Sequence, residues 1–202
     1  MNKIINQMMN KMRRADREIT DFNEIVEVLG RTDTIRVGLF NGEYPYIVPV
    51  SFGMEVVKEP ENQCCGGYES ASEDCCCGGH ESASDDCCCG DVADSKVVLY
   101  FHSAKKGLKN DCINANDKVC VEADIFHMIQ RTEVGITTRF ESVIGFGRIE
   151  ELEGDDKVYG LQKIVEKYGY PEYPIDRCKG LPMTAVFKIT LDQITGKRNL
   201  PE

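Results

Sequence analysis

The chain has 202 residues and is acidic, with 34 aspartates and glutamates against 24 lysines and arginines, a formal net charge of −10. This balance argues against nucleic acid or an anionic membrane as a partner, because phosphate-rich surfaces are bound by basic faces. The 42% hydrophobic content suffices for one sizeable core, and no stretch approaches the roughly 20 apolar residues that cross a bilayer. We therefore expect a single domain over residues 1–202, located in the cytoplasm, where thiols stay reduced.

The first half of the chain predicts one helix and a strand-rich region. The segment "DFNE" at 21–24 has the spacing of a capping box and precedes apolar residues at helical intervals, so a short helix is expected to end at Gly30. A strand follows over "TIRVGLF", and "NG" at 41–42 predicts a two-residue hairpin turn. The run 44–57 contains two prolines, which cannot donate in a β-ladder, so it is predicted to be an edge or bent strand.

The second half contains more strands than helices. Strands are expected at 95–103, 118–125, 141–153 and 183–194, and helices at 106–115 and 155–168. Strands and helices do not alternate regularly, which argues against a parallel sheet. The pattern predicts a mainly antiparallel barrel with helices packed outside.

Residues 64–90 carry eight of the eleven cysteines in a tandem repeat, QCCGGYESASED followed by CCCGGHESASDD. The repeat has almost no aliphatic residues and is not expected to fold alone. Residues 61–94 are therefore predicted to be a loop insertion between two strands, dispensable for the fold and for cofactor binding. Three interpretations of the insertion remain open: a neutral repeat expansion, soft-metal binding by thiolates with His80, or thiol–disulfide chemistry. The runs of consecutive cysteines lack the C-x₂-C spacing of structural zinc sites, and no metal ligand is predicted.

With the insertion set aside, five segments follow one another in an order that carries a resemblance. They are "MRRADREI", "YPYIVPVSF", "LYFHSAKKGLKND", "TTRFESVIGFGRIEE" and "TAVFKITLDQITGK". Together they resemble the FMN-binding split-barrel family, which includes pyridoxamine 5′-phosphate oxidases, and within it the nitroimidazole-resistance branch. The resemblance implies a six-stranded antiparallel split β-barrel with flanking helices, FMN as the cofactor, and a homodimer with two FMN molecules at the subunit interface.

The resemblance also implies which residues contact FMN. The proline-containing strand is expected to run along the flavin ring, the pattern H-x-A-x-x-G-x-K to follow the third strand, and the "ESV" segment to approach from a neighbouring element or subunit. The implied residues are Val48, Pro49, Val50, Ser51, His102, Ala104, Gly107, Lys109, Glu141, Ser142 and Val143.

The residues after the third strand independently favour a phosphate site. Ser103, the free N–H groups at the start of a helix, and Lys105, Lys106 and Lys109 would surround a dianionic phosphate. The alternative is a solvated basic helix face. Arg139 is a second candidate for a phosphate-binding charge.

The histidines are interpreted separately. His102 is the candidate catalytic residue, as a hydrogen-bond donor to the cofactor or an acid or base toward substrate, and a structural histidine is the alternative. His127 is expected in a loop or edge beyond a strand, without a functional role. Glu141 has the alternative role of a capping or ion-pairing carboxylate.

These observations predict an oxidoreductase that uses FMN to pass electrons from a reduced donor to a small oxidant, for example a nitroaromatic compound. Two alternatives remain: a non-catalytic module that binds FMN or haem, and a protein that buffers metal through the cysteine-rich insertion. The expected partners are a second copy of the chain and a small-molecule redox substrate, with no nucleic acid and no membrane.

Overall fold

The computed structural model describes residues 12–58 and 95–201. The predicted insertion at 61–94 lies outside these ranges, so the structure tests none of its three interpretations. The strands are β1 (Glu18–Ile19), β2 (Ile35–Phe40), β3 (Pro45–Val50), β4 (Gly53–Lys58), β5 (Ser95–Ala104), β6 (Lys118–Thr132), β7 (Gly135–Leu152) and β8 (Thr184–Asn199). The α-helices are α1 (Phe22–Arg31), α2 (Leu108–Ala115) and α3 (Gly154–Lys167).

The described strands form one antiparallel sheet in the order β3-β2-β6-β7-β8-β5-β4, with β1 paired to β8. Although β3 and β4 lie at opposite ends of this order, only Ser51 and Phe52 separate them in the chain. Three Cα steps span at most about 11 Å, so the two ends of the sheet must approach each other. In the described part of the chain no ladder joins β3 to β4. The sheet is thus a barrel split at this seam, which confirms the predicted fold class with eight strands rather than six.

The main core lies inside the rolled sheet. It is built from alternate residues of the strands, as the two-residue period of a strand requires, and α1 packs against it through Ile25, Val28 and Leu29. A second, smaller cluster lies beneath α3 on the opposite face of β5 and β8. Because β5 is buried on both faces, its sequence "VVLYF" is a continuous apolar run instead of an alternating one.

Helix α1 begins where the sequence predicts. The Asp21 carboxylate accepts hydrogen bonds from the backbone N–H of Asn23 at 2.7 Å and of Glu24 at 3.2 Å, which satisfies donors at the helix start. Glu24 forms an ion pair with Arg198 at 2.9 Å. The helix continues one residue past Gly30, where the sequence predicts its end.

The hairpin between β2 and β3 differs from the prediction. The ladder closes at the pair Phe40 and Pro45, so the loop has four residues, of which Gly42 adopts a φ of +78°. The predicted two-residue turn is therefore wrong, because pairing ends before "NG" is reached. The predicted edge position is confirmed, since β2 is the one strand that pairs with β3 in the part of the chain that the structure describes, and an edge strand tolerates prolines.

The hairpin of β6 and β7 is longer than the sequence predicts. Residues 126–139 lie beyond the point where β2 leaves β6 and β8 leaves β7, and they form a hairpin that pairs from Met128 opposite Arg139 to Thr132 opposite Gly135. We call this segment the hairpin arm. Within the described ranges, no helix has the length and apolar character needed to cross a membrane.

The strands that flank the insertion are neighbours. β4 and β5 pair continuously from Gly53 opposite Tyr100 to Lys58 opposite Ser95. The segment 59–94 therefore connects two adjacent antiparallel strands, as expected for an insertion at a hairpin tip.

Candidate functional site

A cavity of about 190 Å³ lies at the turn that joins β5 to α2. Its lining residues are Tyr46, Ser103, Ala104, Lys106, Gly107, Leu108, Lys109 and Asn110. The fold thus brings β3, through Tyr46, to the lysine-containing turn, although more than fifty residues separate them in the chain. The sequence prediction named residues 48–51 and missed Tyr46. The two-residue period of a strand could have identified it, because Tyr46 lies two positions before Val48 on the same face of β3.

The backbone of the turn exposes donors at the start of α2. Gly107 precedes the helix with φ +130° and ψ 169°, a conformation that is essentially restricted to glycine. Glycine has no side chain to cap the helix, so no cap bond is made by this residue. The first N–H groups of a helix have no intrahelical acceptor, and here they belong to Leu108 and Lys109 in the cavity wall. Such an end of a helix favours an anion.

Two polar side chains hold the turn in shape. Buried Asn110 donates from Nδ2 to the carbonyl of Ala104 at 3.1 Å. The Ser103 hydroxyl donates to the same carbonyl at 2.8 Å and lies 3.3 Å from Asn110 Oδ1. Ser103, predicted as a phosphate donor, therefore already has acceptors within the protein, and the structure gives it a role in the shape of the turn.

The lysines of the turn have no carboxylate partner within the described ranges. None of Lys105, Lys106 and Lys109 forms an ion pair with another residue in 12–58 or 95–201. Lys109 is half-buried, its Nζ lies 5.5 Å from the centre of the Phe101 ring, and burial lowers its pKa. A partly desolvated ammonium without a counter-charge is stabilised by an anion placed beside it.

His102 lies next to this cavity but does not line it. The residue is exposed, yet desolvation of its ring and the positive charge of Lys109 lower its pKa below the ordinary value of 6.5. The neutral imidazole is therefore favoured at neutral pH. This form can accept a proton or a hydrogen bond, and the catalytic role of His102 stays a prediction.

The predicted flavin strand divides between two environments. Val48 and Val50 are half-buried and pack against the main core, whereas Pro49 and Ser51 are exposed on the other side of β3. The second edge of β3 has no ladder partner among the described strands. The contact of residues 48–51 with a flavin ring, which the resemblance implies, stays a prediction.

The "ESV" segment does not line the cavity within one chain. Val143 lies in the main core, and Ser142 is half-buried opposite Asp124 and Lys197 of the neighbouring strands. Their predicted contact with FMN stays a prediction that requires a second subunit or another element.

Glu141 is the centre of a separate charged group, which we call the carboxylate cluster (Arg31, His127 and Glu141). Arg31 donates to Glu141 Oε1 at 2.9 Å and lies 2.8 Å from Oε2, and His127 Nε2 lies 3.0 Å from Oε2. Glu141 is 3% exposed, and its hydrogen bond to Arg31 is the largest cause that lowers its pKa. The arrangement matches the alternative role of Glu141 as an ion-pairing carboxylate.

The location predicted for His127 is wrong. It lies inside β6 at a register shift between Phe126 and Met128. A β-bulge re-aims a side chain relative to the regular alternation, and here the imidazole reaches Glu141 on the neighbouring strand. A bulge leaves little trace in a single sequence, which explains why this contact was missed.

Arg139 is engaged elsewhere. It donates to Gln130 Oε1 at 2.6 Å, to Asn199 Oδ1 at 3.1 Å and to the Leu200 carbonyl at 2.9 Å. The structure therefore offers no support for its predicted phosphate contact. In the described part of the chain, no group of three or more histidine, cysteine, aspartate or glutamate residues could hold a metal ion.

Solved structures share this fold. One is described as a 5-nitroimidazole antibiotic resistance protein from Bacteroides thetaiotaomicron, with 23% identity, a TM-score of 0.61 and coverage of 89% of this chain and 85% of that one. The flavocytochrome Anf3 from Azotobacter vinelandii has 15% identity and a TM-score of 0.63, covering 96% and 74%. The FAD and heme binding protein from Mycobacterium smegmatis has 15% identity and a TM-score of 0.61, covering 92% and 76%.

Sequence comparisons identify the family. No curated protein matches the sequence. The family model described as pyridoxamine 5′-phosphate oxidase matches residues 90–198, which is more than half of the chain. The chain belongs to the pyridoxamine 5′-phosphate oxidase family of flavin-binding split barrels.

Proposed function

We propose that this protein is an FMN-dependent oxidoreductase that acts as a homodimer in the cytoplasm and passes electrons from a reduced donor to a small oxidant. The observation that carries the proposal is the cavity beside α2. One wall is lined by lysines that form no ion pair with any described residue and by N–H groups at the helix start. Membership of the family supports a flavin as the ligand.

The residues of the cavity fit the phosphate of FMN. The N–H groups of Leu108 and Lys109 and the ammonium groups of Lys106 and Lys109 would hold a dianion by charge-assisted hydrogen bonds. The glycine at 107 leaves the backbone open to close approach, since no atom lies within 4 Å of the position a Cβ would take. These donors would contact the terminal phosphate of FMN, a group that riboflavin lacks.

The size of the cavity supports a dimer. Its volume of about 190 Å³ is below the roughly 300–1,000 Å³ of pockets that enclose a drug-sized ligand. A single chain therefore supplies a phosphate site and one side of a ring site. A second copy would complete the enclosure of the flavin ring against β3.

The hairpin arm is the surface on which we place the second copy. It exposes five large apolar side chains, at Phe126, Met128, Ile129, Val134 and Ile136. A two-stranded hairpin is marginally stable when nothing packs on it, and contiguous exposed apolar residues are typical of interaction surfaces. Burial of the hairpin arm against the same arm of the second copy would stabilise both hairpins.

The chain's own groups would orient the ligand more than they would react with it. The flavin, when bound, supplies the electron-transfer chemistry. The turn at 103–110 binds the phosphate, the free edge of β3 faces the ring, and the neutral His102 is available to accept or donate a hydrogen bond toward a substrate. We propose nitroaromatics as oxidants, with support from the described role of the Bacteroides thetaiotaomicron protein of the same fold.

The absorption spectrum of the purified protein tests the proposal. We expect flavin bands that are bleached by NADH or NADPH without oxygen and that return on addition of a 5-nitroimidazole. Bands that no donor bleaches would support a non-catalytic FMN module, a Soret band would support haem, and a colourless protein that takes up no added FMN would contradict the proposal.

Light scattering tests the dimer. We expect twice the mass of one chain for the wild type, and one chain mass with weak flavin binding for Ile136→Glu, which places a charge on the apolar arm. Val56→Glu, at an exposed apolar residue of β4 outside the arm, is the matched control. A wild-type monomer that still binds FMN tightly would contradict the arrangement.

A further inference from the structure

The end of α3 contacts the crossover from β3 to β4. The N–H of Phe52, in the middle of this crossover, donates to the hydroxyl oxygen of Tyr168 at 3.2 Å. The same hydroxyl donates to the carbonyl of Asp33, which lies just before β2. A single side chain therefore joins the crossover to the start of the neighbouring strand.

The preceding residue makes a second set of contacts at the same place. Lys167 Nζ donates to the carbonyl of Gly30 at 2.8 Å, at the C-terminal end of α1, where a cation is favoured. It also lies 4.5 Å from the centre of the Phe52 ring, a cation–π contact. Lys167 and Tyr168 thus connect α1, β2 and the crossover, and we call this pair the seam clamp.

The seam is the place where the barrel most needs such contacts. Among the described strands, β3 has a ladder on one side only, and Ser51 and Phe52 are the chain connection across the split. Next to them, the backbone of Gly53 lies against that of α3, because a Cβ at this position would be 2.4 Å from the carbonyl carbon of Lys163. The end of β3 is therefore located by α3 and the seam clamp.

We propose that Tyr168, assisted by Lys167, is a positioning residue for the flavin ring, because it fixes the crossover that ends the ring-binding strand β3. The inference rests on the proposed function, in which residues 48–51 face the ring. It assigns to α3 a role at the ring end of the ligand, separate from the phosphate end at α2.

Tyr168→Phe is the test variant, since it removes the hydroxyl and both hydrogen bonds and keeps the ring. Tyr159→Phe is the matched control, because Tyr159 lies on the same helix and donates to Glu55 Oε2 at 2.6 Å. We expect Tyr168→Phe to raise the Kd for FMN and for riboflavin equally, by about three- to tenfold, the range of one or two neutral hydrogen bonds. Tyr159→Phe should change either Kd by less than about twofold, even if it lowers Tm as much.

Amide hydrogen exchange without added flavin provides a second readout. The Phe52 amide should exchange faster in Tyr168→Phe than in the wild type and stay unchanged in Tyr159→Phe. If Tyr168→Phe does not fold, Lys167→Met takes its place, with the same equal weakening of FMN and riboflavin expected.

The outcomes separate the inference from the proposed function. Equal Kd values for Tyr168→Phe and Tyr159→Phe would overturn the inference about Tyr168 and leave the proposed function intact. A loss of affinity for FMN but not for riboflavin would do the same, because it would locate the effect at the phosphate. A wild-type protein that binds neither flavin would overturn the proposed function and this inference with it.

Discussion

The cavity beside α2 and the carboxylate cluster on β7 both hold partly buried charged groups, but their charges are balanced differently. In the cluster, both oxygens of Glu141 are bonded, to Arg31 and to His127. In the cavity, Lys106 and Lys109 have no carboxylate within reach among the described residues. Removal of one partner from a buried charge pair destabilises the fold, whereas a buried charge without a partner is a cost that a ligand of opposite charge can offset.

We propose that this difference in pairing, more than residue type, separates a structural role for Glu141 from a ligand-binding role for Lys109. Glu141 belongs to a sequence motif implied to bind FMN, yet within one chain it joins α1 to the β6–β7 hairpin. Lys109 belongs to another motif of the same resemblance, and its ammonium group forms no ion pair among the described residues. Variants that remove one charge from each region test the comparison. The variant in the carboxylate cluster should have a lower unfolding free energy, and the variant in the cavity should have a lower affinity for FMN.

Arg31→Met should produce the largest effect. It leaves the buried carboxylate of Glu141 without its main partner, although the Arg31 side chain itself is 43% exposed. Leaving one buried polar group without its partner costs about 1 to 3 kcal/mol of unfolding free energy. Arg148→Met is the control, because Arg148 forms an exposed ion pair with Asp117, and such pairs contribute less than about 1 kcal/mol. Urea unfolding measures the unfolding free energy of both variants. Equal losses would show that the contact of Arg31 with Glu141 contributes no more than an exposed ion pair.

Lys109→Met should weaken FMN binding by about ten- to a hundredfold, the range of a charge-assisted hydrogen bond to phosphate. Riboflavin affinity should stay the same, and unfolding free energy should stay equal or rise, because a partly buried ammonium without a counter-charge is removed. Lys105→Met is the control, since Lys105 does not line the cavity. Equal weakening of FMN and riboflavin would contradict a phosphate role for Lys109.

Gly107→Ala should cost about 1 to 2 kcal/mol of unfolding free energy, because alanine is strained at a φ of +130°. It should also weaken FMN more than riboflavin, since the N–H groups at the start of α2 are displaced. Gly30→Ala is the control, because Gly30 lies in helix α1 with no atom near the added Cβ, and the change should be neutral or stabilising. A Gly107→Ala protein as stable as the wild type would contradict the strained turn.

The smallest effect expected is the pH dependence of the carboxylate cluster. The pKa of Glu141 is lowered from 4.5, mainly by its hydrogen bond to Arg31. A carboxyl group with a lower pKa in the folded state contributes stability above its unfolded pKa and loses it as the pH falls through the folded pKa. The Tm difference between wild type and Glu141→Gln should therefore narrow as the pH falls below 4.5. A difference that is constant from pH 7 to pH 3 would contradict ionised pairing.

Local signals in the sequence were sufficient for much of the fold. The cap at Asp21 and the prolines of β3 act within a few residues, so their consequences could be predicted from neighbouring positions. The length of the hairpin arm could not be predicted, because its apolar residues do not alternate regularly across the bulge at His127.

The turn that we propose as the phosphate site could be located in part from the sequence for the same reason. Gly107, Lys106 and Lys109 lie within one turn, and their proximity is a property of the chain itself. Tyr46 was missed because only the rolling of the sheet brings β3 to that turn. The contacts of Tyr168 with Phe52 likewise join positions separated by 116 residues.

The sequence by itself determined the strand-rich class, the edge position of β3 and the basic turn before α2, because each depends on local backbone preference or local charge. Only the tertiary structure decided which charges are paired. Whether Glu141 or Lys109 finds a partner depends on side chains that approach from distant strands and helices. Desolvation acts on the final three-dimensional neighbourhood, and that neighbourhood pairs Glu141 with Arg31 and His127 and gives Lys109 no ion pair among the described residues.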